Sequence, residues 1–431
     1  MSYPPSAFST ALPAATGAAP PLDLRVTLAA LAESDGVRDC SQFFTREKRW
    51  ITDRQLEMCR IPAPTFQEQG RAACLARLLT EIGYEAQIDR AGNVTATVIY
   101  DRSAPYVALT AHLDTVLAPR LPEEIVLEPN GVLVGPGVAD NGAGLAALVA
   151  VARAVNTSAK LIDCTHNLLL AATVGEEGEG NLYGMRHLCC QSPLASRICA
   201  FLVLDGAGTD HITTQALGSR RFEVLITGSG GHSWSDYGTA NPVHALSRAV
   251  AMFSNIALPA GARSSINVGL IEGGASVNSI PSQARAKVDI RSESNPALVE
   301  IVALLEQAVR QGVKEENRRA TGAPVAWKVR EIGARPAAQL ATGSRLLACL
   351  RAVDAHLGLR ARLDCASTDA NIPLSLGREA ATIGAGGQGG GAHTPSEWFN
   401  PEGRDLGLKR VFLSLALLLR GAAPDLPSLT T

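Results

Sequence analysis

The residues that could do chemistry in this chain sit in five short segments, each carrying histidine or carboxylates beside an apolar run or a glycine-rich turn. In Val107–Val116 (VALTAHLDTV), His112 and Asp114 stand two apart. Residues i and i+2 of an extended segment face the same way, so Asp114 can accept the second ring N–H of a metal-binding His112. In Gly135–Gly144 (GPGVADNGAG), Asp140 precedes a small-residue run, where it can cap a helix or bind a cation. Ala171–Gly180 (AATVGEEGEG) sets Glu176 and Glu177 side by side after an apolar run. Adjacent side chains diverge, so one can hold metal while the other faces a substrate, and either order fits. Glu179 fits a solvated loop acid. Phe201–Gly206 (FLVLDG) ends in Asp205, and Gly386–Glu397 (GGQGGGAHTPSE) puts His393 behind glycines that permit close backbone approach. Each residue alone has an ordinary structural role. Together, two histidines and three or four carboxylates at strand ends suit one or two zinc-like ions.

The elements that must position these residues alternate between helix and strand. The pattern predicts helices over 46–60 and 67–82, the second ending at Gly83. Short strands are expected at Ala86–Ile88 and Val94–Tyr100, and buried strands at Tyr106–Thr110, Asn167–Thr173 and Ala200–Leu204. Gly142–Val155 reads as a helix of small residues able to lie close against a sheet. Alternating strands and helices imply an α/β domain with a mostly parallel sheet, whose ligands gather at the carboxyl ends of the strands. From about residue 217 the texture changes. Strands at Arg221–Thr227, Ser264–Ile271, Ala284–Arg291 and Val325–Arg330 interleave with helices at Pro242–Asn255 and Pro296–Gln311. The order β-α-β-β-α-β is the ferredoxin-like unit. The expected organisation is a flexible leader over 1–23, a discontinuous α/β domain over 24–216 and 332–431, and an inserted domain over 217–331. The insert offers His232 in a turn (GSGGHSW), Asn278 (GGASVNSIP) and Arg291 (VDIRS), the last equally suited to a surface ion pair.

The motifs HLDTV at 112–116, GVAD at 137–140, GEEGEG at 175–180, LDG at 204–206 and AHTPSE at 392–397 resemble those of one family. It is the zinc-dependent exopeptidase family of peptidase T, carboxypeptidase G and the aminoacylases, metallopeptidase family M20. The resemblance covers about 45–415, with the insert in the expected place. It implies a zinc-exopeptidase catalytic domain with an inserted lid and dimerisation domain. It further implies that His112, Asp140, Glu177, Asp205 and His393 bind two divalent ions, with Asp140 bridging them. Glu176 would then be the general base and Asp114 would orient His112. His232 would help stabilise an oxyanion, often from a partner subunit, while Asn278 and Arg291 would bind a substrate carboxylate. Many relatives have Asp or Lys soon after the bridging Asp, where this chain has Asn141-Gly142-Ala143-Gly144. Asp205, where acylases and carboxypeptidases commonly have Glu, resembles the di- and tripeptidase branch.

Composition excludes other classes. The 431 residues carry 39 Lys plus Arg against 41 Asp plus Glu, a formal net charge of −2. That balance disfavours a nucleic-acid backbone or an anionic membrane, and 4% aromatics disfavours a base-stacking platform. The nine cysteines show no CxxC pair, which fits reduced thiols in a cytoplasmic protein. The Pro/Ala/Ser-rich start lacks the basic region of a signal peptide. The expected function is metal-dependent hydrolysis of amide bonds in short peptides, of di- or tripeptidase type, with Zn, Co or Mn as the ion. The alternative is an amidohydrolase that removes an N-acyl or N-carbamoyl group from an amino acid. A non-catalytic binding protein is disfavoured by the intact Glu176 and ligand set.

Overall fold

The computed structural model describes residues 24–157 and 164–422. The leader expected over 1–23 lies outside the described residues, as does the end of the chain beyond 422. The strands Asn167–Thr173, Tyr106–His112, Ile198–Leu204 and Glu379–Ile383 lie side by side in that order and run parallel. Every residue of the first three is buried, as unbroken apolar runs require when helices cover both faces of a sheet. The parallel region is the centre only. Val94–Val98 joins one side and His211–Ala216 the other, both antiparallel. Gly142–Thr157 is the helix expected from its small residues, and it packs on the sheet and against Lys48–Cys59. A side chain at Gly142 would meet Cys59 Sγ at 2.3 Å, so the close approach needs glycine there. Gly83, at φ 111°, ends the Gln69–Ile82 helix as expected.

Two further helices, Leu24–Glu33 and Asp35–Arg46, precede those read from the sequence. The second buries Val37, Cys40, Phe43 and Phe44 on one face, and Phe44 meets Phe412 edge to face at 5.9 Å. Residues from Leu28 to Ala216 and from Leu340 to Leu419 share one hydrophobic core.

Residues between these stretches form a second core around Phe222, Val224, Ile226, Leu246, Phe253, Ile301 and Leu305. Its antiparallel sheet runs Ser264–Gly273, Gln283–Ser292, Gly218–Thr227, Ala326–Arg335 across, with the helices Pro242–Ser254 and Asn295–Arg319 packed on it. This is the ferredoxin-like arrangement. Gln283–Ser292 alternates buried and part-exposed residues, the period of two that made it legible. Asn241 caps the first helix, accepting from the Val243 N–H at 2.9 Å, and Pro242 fills its first position. The last strand continues five residues beyond the expected Arg330, past a bulge at Glu331–Gly333, and ends at Arg335. Among the described residues, no helix is long and apolar enough to cross a membrane.

Candidate metal centre and active site

Three parallel strands end next to one another and deliver the cluster. His112 is the last residue of its strand, Glu176 and Glu177 follow Asn167–Thr173, and Asp205 follows Ile198–Leu204. Asp140 arrives on the turn before the Gly142–Thr157 helix, and His393 on the loop between the short strands 388–390 and 398–400. His112 Nε2 lies 3.1 Å from Asp140 Oδ1 and 3.6 Å from Asp205 Oδ1. His393 Nε2 lies 3.1 Å from Asp140 Oδ2 and 3.0 Å from Glu177 Oε1. The two oxygens of Asp140 therefore face two different histidines. Within 4.8 Å, ligand atoms gather as His112, Asp140, Asp205 and as Asp140, Glu177, His393, with Asp140 common to both. His112 with Glu176 and Glu177 makes a third such group.

The cluster fits divalent cations. Among the described residues, the buried atoms His112 Nε2 and Asp140 Oδ1 have no hydrogen-bond partner, although they face each other. Buried polar atoms left so are rare and ask for an ion or ligand. Charge says the same. The carboxylates of Asp140 and Glu177 push the His393 imidazole up to about 10. Burial works against a charged His112, but Asp114, Asp140 and Asp205 overcome it and raise its pKa well above the ordinary value. The site draws positive charge, and side-chain nitrogen and oxygen donors of this kind suit zinc, cobalt or manganese.

The surrounding residues fix the turns rather than join the cluster. His112 Nδ1 meets the backbone oxygen of Asp114 at 3.0 Å, with the Asp114 carboxylate farther off at 3.6 Å. The ring N–H expected on the Asp114 carboxylate thus goes to its carbonyl, which leaves Nε2 to face the cluster. The carboxylate instead accepts the backbone N–H groups of Glu176 and Glu177, each at 2.9 Å, and the Thr65 hydroxyl at 2.9 Å. Asp114 shapes the turn that presents the two glutamates. Capping of the next helix falls not to Asp140 but to Asn141, whose Oδ1 accepts from Gly144 N–H at 3.1 Å. Asn141 also donates to Leu204 O at 2.8 Å and accepts from Gly206 N–H at 3.3 Å, tying the Asp140 turn to the Asp205 turn. The departure from the commoner Asp or Lys therefore has a specific local role.

Glu176 is buried and faces Arg335, Oε1 to Nη1 at 3.1 Å, and Arg335 also donates to the Glu176 carbonyl. Burial raises the Glu176 pKa well above the carboxylate range, while Arg335 opposes the rise. A carboxyl raised in this way is the kind of group that can take and return a proton. Arg335 was not singled out in the sequence. It sits where the insert returns to the larger domain, with no motif around it, and its partner is 159 residues away. Asp369 was missed for the same reason: it is buried, accepts from Thr173 Oγ1 at 2.5 Å, and is pushed by burial up to about 6.

The insert meets the turn after Glu176 directly. Lys287 Nζ pairs with Glu179 Oε1 at 2.5 Å, so Glu179 is an ion-pair partner rather than a merely solvated acid. Arg221 donates to Gly178 O, and Ala334 N–H to Asn181 Oδ1 at 2.9 Å. His232 and Asn278 lie together on an exposed ribbon in which Gly231–His232 pairs with Ser279–Ile280. There the Ser233 N–H donates to Asn278 O at 3.0 Å, and His232 Nδ1 accepts from Trp234 N–H at 3.2 Å. Neither is part of the cluster of ligand atoms in this chain. Arg291 pairs with Asp289 at 2.7 Å, an acid it shares with Arg221.

Against a probable carboxypeptidase of Aspergillus clavatus, the chain is 29% identical over 223 residues, 47% of this chain and 48% of that relative. The aligned part thus spans about half the length of that curated relative. A tripeptidase from Staphylococcus aureus superposes with a TM-score of 0.71 at 19% identity, over 86% of this chain and 99% of the other. A dinuclear metal-binding peptidase of the M20 family from Bacillus subtilis superposes at 0.62 and 16% identity, over 88% and 98%. At these identities the superpositions speak for the fold. Residues 108–415, well over half the chain, match the family described as Peptidase family M20/M25/M40, and the chain belongs to that family.

Proposed function

We propose that this chain is a metal-dependent hydrolase of amide bonds in short peptides, an exopeptidase of di- or tripeptidase type. The observation that carries the reading is the Asp140 carboxylate shared between two ligand sets, with the buried Glu176 beside them. His112, Asp140, Glu177, Asp205 and His393 would hold two divalent ions, zinc by preference and cobalt or manganese as alternatives. Bound there, the ions would acidify a water and polarise the scissile carbonyl. Glu176 would accept the proton of the attacking water and return it to the leaving amine. Arg335 keeps the Glu176 carboxyl in place and tempers its pKa. His232 supplies a donor to the developing oxyanion, and Asn278 and Arg291 bind the substrate carboxylate. The exposed position of His232 and Asn278 fits delivery by closure of the insert or by a second copy of the chain. The exposed edge strand Ser264–Gly273 would serve a homodimer. All nine cysteines are free thiols, which supports a cytoplasmic setting.

The test is turnover of free and N-acylated dipeptides by the zinc- or cobalt-loaded protein. Cleavage of free-amine di- or tripeptides is expected. Turnover of only N-acetyl or N-carbamoyl amino acids would replace the peptidase reading with the amidohydrolase one.

A further inference from the structure

We infer that Glu397 is a positioning residue that staples the Asp140 turn to the His393 loop, so that both present their ligand atoms to one ion; this rests on the two-ion reading above. Glu397 is 2% exposed, and no cation pairs with it among the described residues. A carboxylate buried in that way must have its oxygens hydrogen-bonded. Here the donors all come from one turn. Oε2 accepts the Gly137 N–H at 2.9 Å, and Oε1 accepts those of Ala139 and Asp140 at 2.7 Å each. The backbone oxygen of Glu397 accepts a fourth, from Gly135 at 2.8 Å. The turn over 137–140 belongs to no helix or strand. Three of its four N–H groups take Glu397 as partner, while Val138 N–H reaches Gly135 O at 3.4 Å.

Four residues earlier in the chain stands His393, on the same loop. It is held at φ 64°, its side chain is 52% exposed, and its ring nitrogen Nε2 faces only Asp140 and Glu177. Little else fixes where this imidazole sits. The staple and the adjoining pairing of Trp398 with Val134 hold the end of the loop just after His393 against the segment that carries Asp140. The 3.1 Å approach of His393 to Asp140 follows from that docking. Glu397 touches backbone only, so it acts through Asp140 and His393. The chemistry needs a carboxylate. Glutamine offers one oxygen and would aim an NH₂ group at a backbone N–H, and aspartate falls short by one methylene.

Metal binding by the full-length chain tests this without recourse to activity. Cobalt(II) is titrated against a competing chelator into wild type, Glu397→Gln and Asp354→Asn, and the visible cobalt absorption is recorded. Asp354 pairs with Arg410 inside the same core, at 2.6 Å, away from the cluster, and controls for loss of stability alone. Glu397→Gln is expected to bind one ion within about threefold of wild type and the other at least tenfold more weakly, with an altered spectrum. Asp354→Asn is expected to bind both as wild type does. Unchanged binding of both ions by Glu397→Gln, or equal weakening in Asp354→Asn, overturns the role. Should Glu397→Gln fail to fold, Glu397→Asp decides: tenfold weaker binding of one ion supports the staple, and wild-type binding of both overturns it. A wild-type chain that takes up no divalent ion defeats the two-ion reading itself, not the staple.

Discussion

Glu176 and Arg335 form the pair on which the proposed chemistry turns, and each makes a separate prediction. Replacing Glu176 with alanine removes the proton carrier but none of the proposed ligands. A fall in kcat of about 100-fold or more is expected, with metal content by atomic emission unchanged; an unaltered rate would dismiss Glu176 as the base. Arg335 lowers the Glu176 pKa that burial raises. Arg335→Met should therefore let that pKa climb further, so the active carboxylate is lost at a higher pH. The acid limb of the kcat profile is expected to move upward, and a limb that stays put would separate Arg335 from the base. The five proposed ligands were legible because each lies in a short motif whose chemistry is local. The partners that orient them were not. Arg335 meets Glu176 across 159 residues and Glu397 meets Asp140 across 257, distances that no spacing in the sequence encodes. His112 illustrates the limit at close range. The i, i+2 rule placed Asp114 on the correct side, yet the backbone carbonyl took the ring N–H and the carboxylate served the next turn.

Secondary structure was legible in most elements whose burial is periodic or complete, though not in Glu379–Ile383 or Arg404–Leu417. Three of the four central strands and the insert's alternating strands appear where apolar pattern placed them; the fourth, Glu379–Ile383, lies outside that reading. Whole elements outside the expected set include Leu24–Glu33, Asp35–Arg46 and Arg404–Leu417. At ends, Asn295–Arg319 and Ala326–Arg335 both run past their expected limits, because the long helix keeps apolar positions facing the sheet and the strand bends at a bulge. Beyond its expected end, that helix carries Glu316. It is fully buried, accepts the Asn241 N–H at 2.8 Å and pairs with Arg248 at 2.8 Å and with Arg319. Burial alone would raise its pKa, but the Arg319 and Asn241 hydrogen bonds and the arginine charges outweigh it and lower the value. A depressed carboxylate pKa stabilises the fold above the unfolded value and loses that contribution as pH falls through the folded one. Glu316→Gln is therefore expected to lose about 1–3 kcal/mol at pH 7. The deficit should shrink in acid, once the wild-type carboxylate is protonated too. Urea unfolding at neutral and acid pH reads the difference, and a deficit independent of pH would mean that the charge contributes nothing.

At the scale of the molecule, two hydrophobic cores are joined by two chain crossings, and the smaller unit leans on the turn after Glu176 through Arg221, Lys287, Ala334 and Arg335. Every proposed metal ligand belongs to the larger unit. Their three carboxylates and two histidines come from five separate segments, and with Glu176 beside them the folded state gathers like charges that the unfolded chain keeps apart. An ion that binds only the gathered arrangement stabilises it by mass action, about 2.7 kcal/mol at one hundred times its Kd. The insert holds none of these ligands and should gain little. Calorimetry of the metal-loaded and chelator-treated protein is thus expected to resolve two unfolding events, with only that of the larger core moving down by several degrees on metal removal and returning when zinc is restored. Contacts at the Glu176 turn link the units, so some shift in the insert is tolerable, but it must be the smaller of the two. If both transitions moved together, the two cores would be one cooperative body. If neither moved, the cluster at the strand ends would not be a metal centre.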